Sequence, residues 1–204
     1  MKKKIFCFTA MILTAILLCC ACSSSSAKIR LGTWSGKSFE NTWSGIRFTL
    51  QDGYEPLSSD KLKEVLAQGQ DMVVNEGLAS KSEIEASKFK TAYEFMIIFP
   101  DETTNVSLAY ESITGLSNRN LTEKEYLEVL REQFEQLEAY TYVKDGTATI
   151  AGEKYYTAAY SVSGMLHQKL YVRKIDSVMM LFTATYTSAS ENAIYHFFQD
   201  IEAA

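Results

Sequence analysis

The spacing of apolar residues changes along the chain and divides it into segments that predict strands and helices. Ile46 to Leu50 alternates apolar and polar side chains, which is typical of a half-buried strand, and Asp52-Gly53 predicts a turn after it. From Ser58 the apolar residues recur at helical spacing, so we predict a first helix that ends near Gly77.

The middle of the chain predicts a hairpin followed by a second helix. The runs 93–99 and 106–110 are rich in apolar and β-branched residues, and a polar segment separates them, as in a hairpin. Thr122 and Glu125 form a capping-box pattern ahead of apolar positions at helical spacing. The second helix is therefore expected to begin at this pair.

The last third predicts an antiparallel meander and a final helix. Three turn pairs separate runs rich in tyrosine, valine and threonine: Asp145-Gly146, Ala151-Gly152 and Asp176-Ser177. The run 178–186 is apolar at successive positions, which indicates a central strand covered on both faces. Ser188 and Glu191 repeat the capping-box pattern and predict the start of the final helix.

Helices separated by hairpins and by a meander imply one α+β domain over residues 31–204, with a mostly antiparallel sheet flanked by helices. Near its start, Thr33-Trp34-Ser35-Gly36 is almost repeated as Thr42-Trp43-Ser44-Gly45. We predict two strand pieces that each pack a tryptophan against the domain. A sugar-binding platform made of the two indole rings is the alternative.

Residues 1–21 predict a lipoprotein signal peptide. Three lysines (2–4) precede an apolar run that is short for a membrane span, although an uncleaved anchor is the alternative. The run ends in cysteines and four serines, and this pattern resembles a lipobox. In such signals the small residue Ala21 permits cleavage and the thiol of Cys22 receives a diacylglyceryl group, with Cys20 as the alternative. Residues 22–30 then form a lipidated, serine-rich tether.

Charge and cysteine usage limit the classes of function. All four cysteines lie within the first 22 residues, so the mature domain has no structural disulfide. Loss of the signal peptide leaves 17 basic and 25 acidic residues, a formal charge of −8. Such a domain lacks the basic surface that nucleic acids require. Attachment to the extracytoplasmic face of the cell membrane therefore depends on the two acyl chains of the diacylglyceryl cysteine.

Residues that carry chemistry are few in the mature domain. His167 and His196 are the only histidines, and no cysteine follows Cys22, so we expect no metal site and no cofactor. The sequence contains neither a serine-nucleophile elbow nor a glycine-rich phosphate loop. We therefore predict no catalytic residues.

One possible ligand-binding site lies on a predicted strand of the meander. Alternation places His167, Lys169, Tyr171 and Arg173 on one face, with apolar side chains on the other. Lysine and arginine supply charge and directional donors, so this strip is suited to a carboxylate, a phosphate or an acidic partner surface. The alternative is a solvated sheet face that neighbouring acids neutralise.

Several stretches resemble lipoproteins of unknown function from clostridia-like gut bacteria. They cover most of the mature chain: residues 31–36, 41, 45–50, 52–54, 69–75, 149–155 and 168–173. Gln51 departs from the proline that this resemblance leads us to expect before the Asp52-Gly53 turn. The resemblance implies a PsbP-like α/β/α sandwich, whose members mostly act as binding or assembly proteins.

These observations lead to an expected function. The chain is expected to be a membrane-anchored surface lipoprotein, a non-enzymatic binding or assembly domain that contacts an unknown protein or small ligand at the cell envelope. An envelope hydrolase with dispersed carboxylates is the alternative, because paired acids of glycosidases lie far apart in sequence. A purely structural envelope spacer is a third possibility.

Overall fold

The computed structural model describes residues 29–75, 77, 79, 91–113 and 121–204. The signal peptide, Cys20, Cys22 and most of the tether lie outside the described residues, so lipidation and cleavage remain predictions.

The described residues form a small and a large antiparallel sheet with three helices. The small sheet contains β1 (Thr33–Ser35), β2 (Ser38–Asn41) and β3 (Ile46–Thr49) in that order. The large sheet contains β4 (Glu55–Pro56), β5 (Thr91–Ile98), β6 (Asn105–Ser112), β7 (Tyr140–Ile150), β8 (Glu153–Val162), β9 (Leu166–Ile175) and β10 (Val178–Tyr186). Its strand order is β4-β5-β6-β10-β9-β8-β7. The helices are α1 (Ser59–Asn75), α2 (Glu123–Phe134) and α3 (Glu191–Gln199).

The large sheet carries a hydrophobic core on each side. Its small-sheet face packs against β2, β3 and α3, and its α2 face packs against α2 and Val65 of α1. Strand β10 lies in the middle, and all nine of its residues are buried because alternate side chains enter opposite cores. The central strand and the α+β class, with a mostly antiparallel sheet flanked by helices, are confirmed.

The start of α2 follows the predicted capping box. The backbone N–H of Glu125 donates to Thr122 Oγ1 at 3.3 Å, and the N–H of Thr122 donates to Glu125 Oε2 at 2.8 Å. Two helix-end donors are thus satisfied by side chains. The helix buries one face toward the large sheet: Tyr126, Leu127, Leu130 and Phe134.

Two predicted boundaries in the last third are wrong. Asp145 and Gly146 do not form a turn but pair with Ala158 and Thr157 inside the long strand β7, which turns only at Ala151. The capping box predicted from Ser188 is also absent, because α3 begins at Glu191 with Ser190 in the N-cap position. The Ser190 hydroxyl instead accepts the backbone N–H of Thr187 at 3.1 Å.

Both tryptophans of the near-repeat pack against the small-sheet core, as predicted. Trp34 lies on β1, and its ring centroid is 5.1 Å from that of Phe39. Trp43 lies in the turn between β2 and β3, not in a second strand piece, and its ring meets Tyr110 edge-on at 5.2 Å. The turn after β3 forms with Gln51, whose side-chain amide donates to Asp200 at 2.8 Å.

Candidate functional site

The four residues of the predicted strip lie on one face of β9, as alternation along the strand predicts, but they do not form a continuous exposed surface. His167, Lys169, Tyr171 and Arg173 share the small-sheet face of the large sheet. Tyr171 is buried there, with its ring 4.3 Å from the Phe198 ring of α3. The docked helix therefore divides the strip into two separate ends.

Arg173 is held by contacts inside the fold. Its Nη2 donates to the backbone oxygen of Ser44 at 2.6 Å, and its guanidinium lies 5.5 Å from the centre of the Tyr155 ring. Nη1 also lies 4.0 Å from the Glu153 carboxylate, and only 13% of the Arg173 side chain is exposed. The guanidinium thus joins β9 to the turn before β3.

The other end of the strip is half-buried. The Lys169 ammonium lies 5.0 Å from the centre of the Tyr171 ring. Burial and the positive charge of Lys144 lower the pKa of Lys169, whereas the negative charge of Glu191 partly opposes this shift. His167 Nε2 lies 2.9 Å from the Ser188 hydroxyl. Ligand binding by this strip stays a prediction, and the structure does not bring its four members together around one opening.

A buried polar network links the small sheet to β5 and β6. Both oxygens of Glu94 accept the Gly32 N–H, at 3.0 and 3.2 Å, and Oε2 accepts Asn41 Nδ2 at 2.8 Å. The Tyr110 hydroxyl accepts Asn41 Nδ2 at 3.1 Å and donates to Ser44 at 2.9 Å. Burial raises the pKa of Glu94. Burial also raises the pKa of Tyr110, and the charge of the nearby Glu94 carboxylate raises it further.

The half-buried carboxylate of β5 and the buried carboxylate of β6 do not face each other. Glu94 lies on the small-sheet face, where Asn41 and Gly32 hold it. Glu111 lies on the α2 face, where it accepts the Tyr126 hydroxyl at 2.7 Å. A glycosidase-type acid pair needs both carboxyls across one substrate, so these two do not form such a pair.

A groove lies on the α2 face, between that helix and the strands β7 and β8. Its volume is about 530 Å³, and it is open to solvent. Three elements line it: Lys124, Leu127 and Glu128 of α2, Asp145, Gly146 and Thr147 of β7, and Lys154, Tyr156 and Thr157 of β8. Ligand clefts in proteins commonly enclose roughly 300–1,000 Å³, so the groove has room for a small molecule or a short chain.

Two lysine side chains approach the ring of Tyr156, which lines the groove. The ammonium of Lys154 lies 4.7 Å from the centre of the Tyr156 ring, and that of Lys124 lies 5.6 Å from it. Both lysines are exposed, and across the described residues neither ammonium forms an ion pair. The electron-rich ring attracts both cations and holds their charge at the groove surface.

An arginine of α2 pairs with Asp145, one of the residues that line the groove. Arg131 of α2 forms an ion pair with Asp145 of β7, and its guanidinium lies 4.1 Å from the centre of the Tyr142 ring. The hydrogen bond to Asp145 raises the pKa of Arg131. These contacts tie α2 to the edge of the sheet, so the groove has a defined width in the absence of ligand.

Sequence reasoning did not find this groove. Among the tyrosines of β8, Tyr155 and Tyr160 are buried, whereas Tyr156 is half-buried and lines the groove. Lys154 and Tyr156 stand two residues apart on β8, which places them on the same face of the strand. Lys124 comes from α2, and only the packing of that helix brings it to the ring.

The described part of the chain shows neither a metal site nor a membrane-spanning helix. It contains no group of three histidine, cysteine, aspartate or glutamate side chains arranged to hold a metal ion. Its helices are all too short or too polar to cross a lipid bilayer.

His196 lies on α3 beside Tyr195, with 5.6 Å between the ring centroids.

No protein-family model and no curated protein matches the sequence. Similar solved structures, each 11% identical in sequence, include the cyanobacterial PsbP of Synechocystis sp. PCC 6803, which has a TM-score of 0.46 and is matched over 89% of this chain and 98% of that chain. LpqN of Mycobacterium tuberculosis, involved in cell envelope biogenesis, has a TM-score of 0.42 over 77% of this chain and 82% of its own. A protein of Bacteroides thetaiotaomicron has a TM-score of 0.37 over 83% of this chain and 48% of its own.

A PsbP is thus among the similar structures. All three TM-scores are below 0.5, so the similarities carry no argument about function. None of the three is a clostridial lipoprotein, and that part of the resemblance remains a prediction.

Proposed function

We propose that this chain is a lipid-anchored, non-enzymatic binding domain on the extracytoplasmic face of the cell membrane. The lipobox-like end of the leader supports the anchor at Cys22, and the serine-rich segment up to residue 30 is the tether. Two acyl chains on one cysteine hold a protein stably at a bilayer, which a domain of net charge −8 would not achieve through its surface.

The groove of the α2 face is the observation that carries the binding role. It combines an aromatic ring, two exposed ammonium groups and room for a ligand in one place. A concave site with a few convergent polar groups is the usual form of a ligand-binding surface. The partner is a protein or a small ligand of the envelope.

The anchor is tested by mass spectrometry of protein isolated from membranes of its native cells. We expect the N-terminal peptide to begin at a diacylglyceryl-modified Cys22, and Cys22→Ser to abolish both the modification and the release of the leader. Cys20→Ser is the matched control and should leave the modified peptide unchanged. An unmodified Cys22 with the leader attached, or modification of Cys20, would contradict the proposed anchor.

The binding role is tested by in-cell photo-crosslinking. A photoreactive residue in place of Thr147 lies in the groove, whereas one in place of Lys144 lies on the same strand outside it. We expect adducts from position 147 that disappear when Tyr156→Leu is introduced. Equal adducts from both positions, or adducts at 147 that survive the Tyr156 change, would contradict a binding site in the groove.

A further inference from the structure

We propose that the groove binds an acidic carbohydrate, with a sugar ring on Tyr156 and its carboxylate between Lys124 and Lys154. This inference rests on the proposed function, because it names the class of ligand for the same groove.

The charges beside Tyr156 favour a carboxylate ligand. Lys124 and Lys154 come from different elements, yet both ammonium groups are within 6 Å of the Tyr156 ring centre, at 5.6 and 4.7 Å. Among the residues that the structure describes, neither has a carboxylate partner of its own, in contrast to Arg131, which pairs with Asp145. A ligand anion placed here would gain two charge-assisted hydrogen bonds.

The Tyr156 ring provides the apolar surface that a sugar requires. Pyranose rings present C–H groups on one side, and such a side packs against an aromatic ring while the hydroxyls stay in water. Tyr156 is half-buried on the α2 face. Part of its side chain packs against the core, and part lines the groove. A tyrosine also offers a hydroxyl for hydrogen bonding at the rim.

The remaining lining distinguishes a sugar from an acidic peptide. Glu128 and Thr147 offer acceptors within the same groove, and these can receive the hydroxyl hydrogens that every sugar ring carries. An acidic peptide has few hydroxyl donors, so it would leave these acceptors without partners. The mixture of cations and acceptors fits one anion and several hydroxyls on each ligand unit.

The test is isothermal titration of the full-length lipoprotein in detergent micelles with tetragalacturonate, neutral galactotetraose and tetraglutamate. We expect tetragalacturonate to bind preferentially and to bind more weakly at high salt. Lys124→Gln and Lys154→Gln should each weaken binding about 3- to 5-fold, as for exposed charge contacts. Tyr156→Leu, which keeps an apolar side chain, should weaken it about 10-fold or more. Lys144→Gln, the same change outside the groove, should leave the affinity unchanged.

Three results would overturn the proposal: equal binding of the neutral tetramer, preference for tetraglutamate, or no binding of any of the three probes. Crosslinking from position 147 separates this failure from failure of the proposed function. If adducts there still depend on Tyr156 while no sugar binds, the groove is a binding site for another class of ligand. If both signals are absent, the binding role itself is wrong.

Discussion

The two faces of the large sheet are covered in different ways. On the small-sheet face, aromatic rings from β1, β2, β3, β5 and α3 contact one another, and the Glu94 network joins the sheets beneath them. In the described part of the chain, α2 covers the outer strands on the α2 face, Val65 of α1 joins the same core, and the first half of α2 leaves the groove open over β7 and β8. Within the described residues, one face is closed by a second layer, and the other is covered in part.

This difference separates stability from binding. The closed face supplies buried aromatic area and satisfied polar groups, which are the main sources of folding free energy. The groove needs exposed lysines and a half-buried tyrosine, and such groups contribute little to stability. The fold can therefore keep binding residues at the edge of the sheet because the opposite face already holds the domain together.

Truncating an aromatic ring on each face gives the largest expected contrast. Phe95 is 3% exposed, and its ring contacts those of Trp34, Phe39 and Phe48. We expect Phe95→Ala to lower the free energy of unfolding by about 3–5 kcal/mol, because it leaves a cavity in the core. Tyr156→Ala should cost only about 1 kcal/mol, because that side chain is half-exposed. Urea denaturation measures both, and equal losses would contradict the contrast.

Gly32 tests how closely the small sheet packs. A Cβ at this position would lie 2.5 Å from the backbone oxygen of Glu40 and 2.6 Å from Cζ of Phe39. We expect Gly32→Ala to destabilise the domain by about 3 kcal/mol, because neither neighbour can move freely. Gly45→Ala is the control: its φ is +71° but no atom lies within 4 Å. It should cost about 1 kcal/mol through backbone strain alone. Thermal unfolding of both variants checks the order, and a reversed order would count against close packing.

Arg131 tests the wall of the groove. Arg131→Gln removes the ion pair with Asp145 and the contact with the Tyr142 ring. We expect a loss of about 1 kcal/mol, since the arginine side chain is 26% exposed and the ring adds to the ion pair. Lys63→Gln removes a pair with Asp60 whose side chains are 74% and 96% exposed, so chemical denaturation should detect no change. Equal effects of the two variants would show that α2 is not tied to β7 in this way.

The smallest expected effect is the pH dependence due to Glu94. Burial raises the pKa of Glu94 above its ordinary value, so between these two values the folded chain binds more protons than the unfolded chain. Stability should therefore fall as pH rises through that window. Glu94→Gln should flatten the fall, whereas Asn41→Ala, which removes a donor to the carboxylate, should steepen it. Urea midpoints across the acidic range measure the slope, and an identical slope in all three proteins would contradict the assignment.

The sequence correctly predicted the structural features that arise from residues close together along the chain. Thr122 and Glu125 interact within one turn of chain, so their pattern alone fixed the start of α2. The apolar run of β10 likewise reflected burial on both faces. Asp145-Gly146 failed as a turn because pairing with β8 continues through both residues, and pairing between strands overrides a local preference.

The site depended on contacts that the sequence does not display. Alternation placed Tyr171 and Arg173 on one face correctly, but it did not show that Phe198 of α3 would cover that face. The groove required Lys124 and Tyr156 to meet across the α2 interface, 32 positions apart. Residue patterns therefore identified faces, whereas tertiary packing decided which face stayed open.

Hydrogen–deuterium exchange of the full-length lipoprotein, with and without tetragalacturonate, tests most directly whether the partly open face is the binding face. We predict that the ligand slows exchange in the first half of α2 and in the adjoining parts of β7 and β8. Slower exchange confined to β9 and α3, around His167 and Lys169, would contradict this account and return the binding role to the opposite face of the sheet.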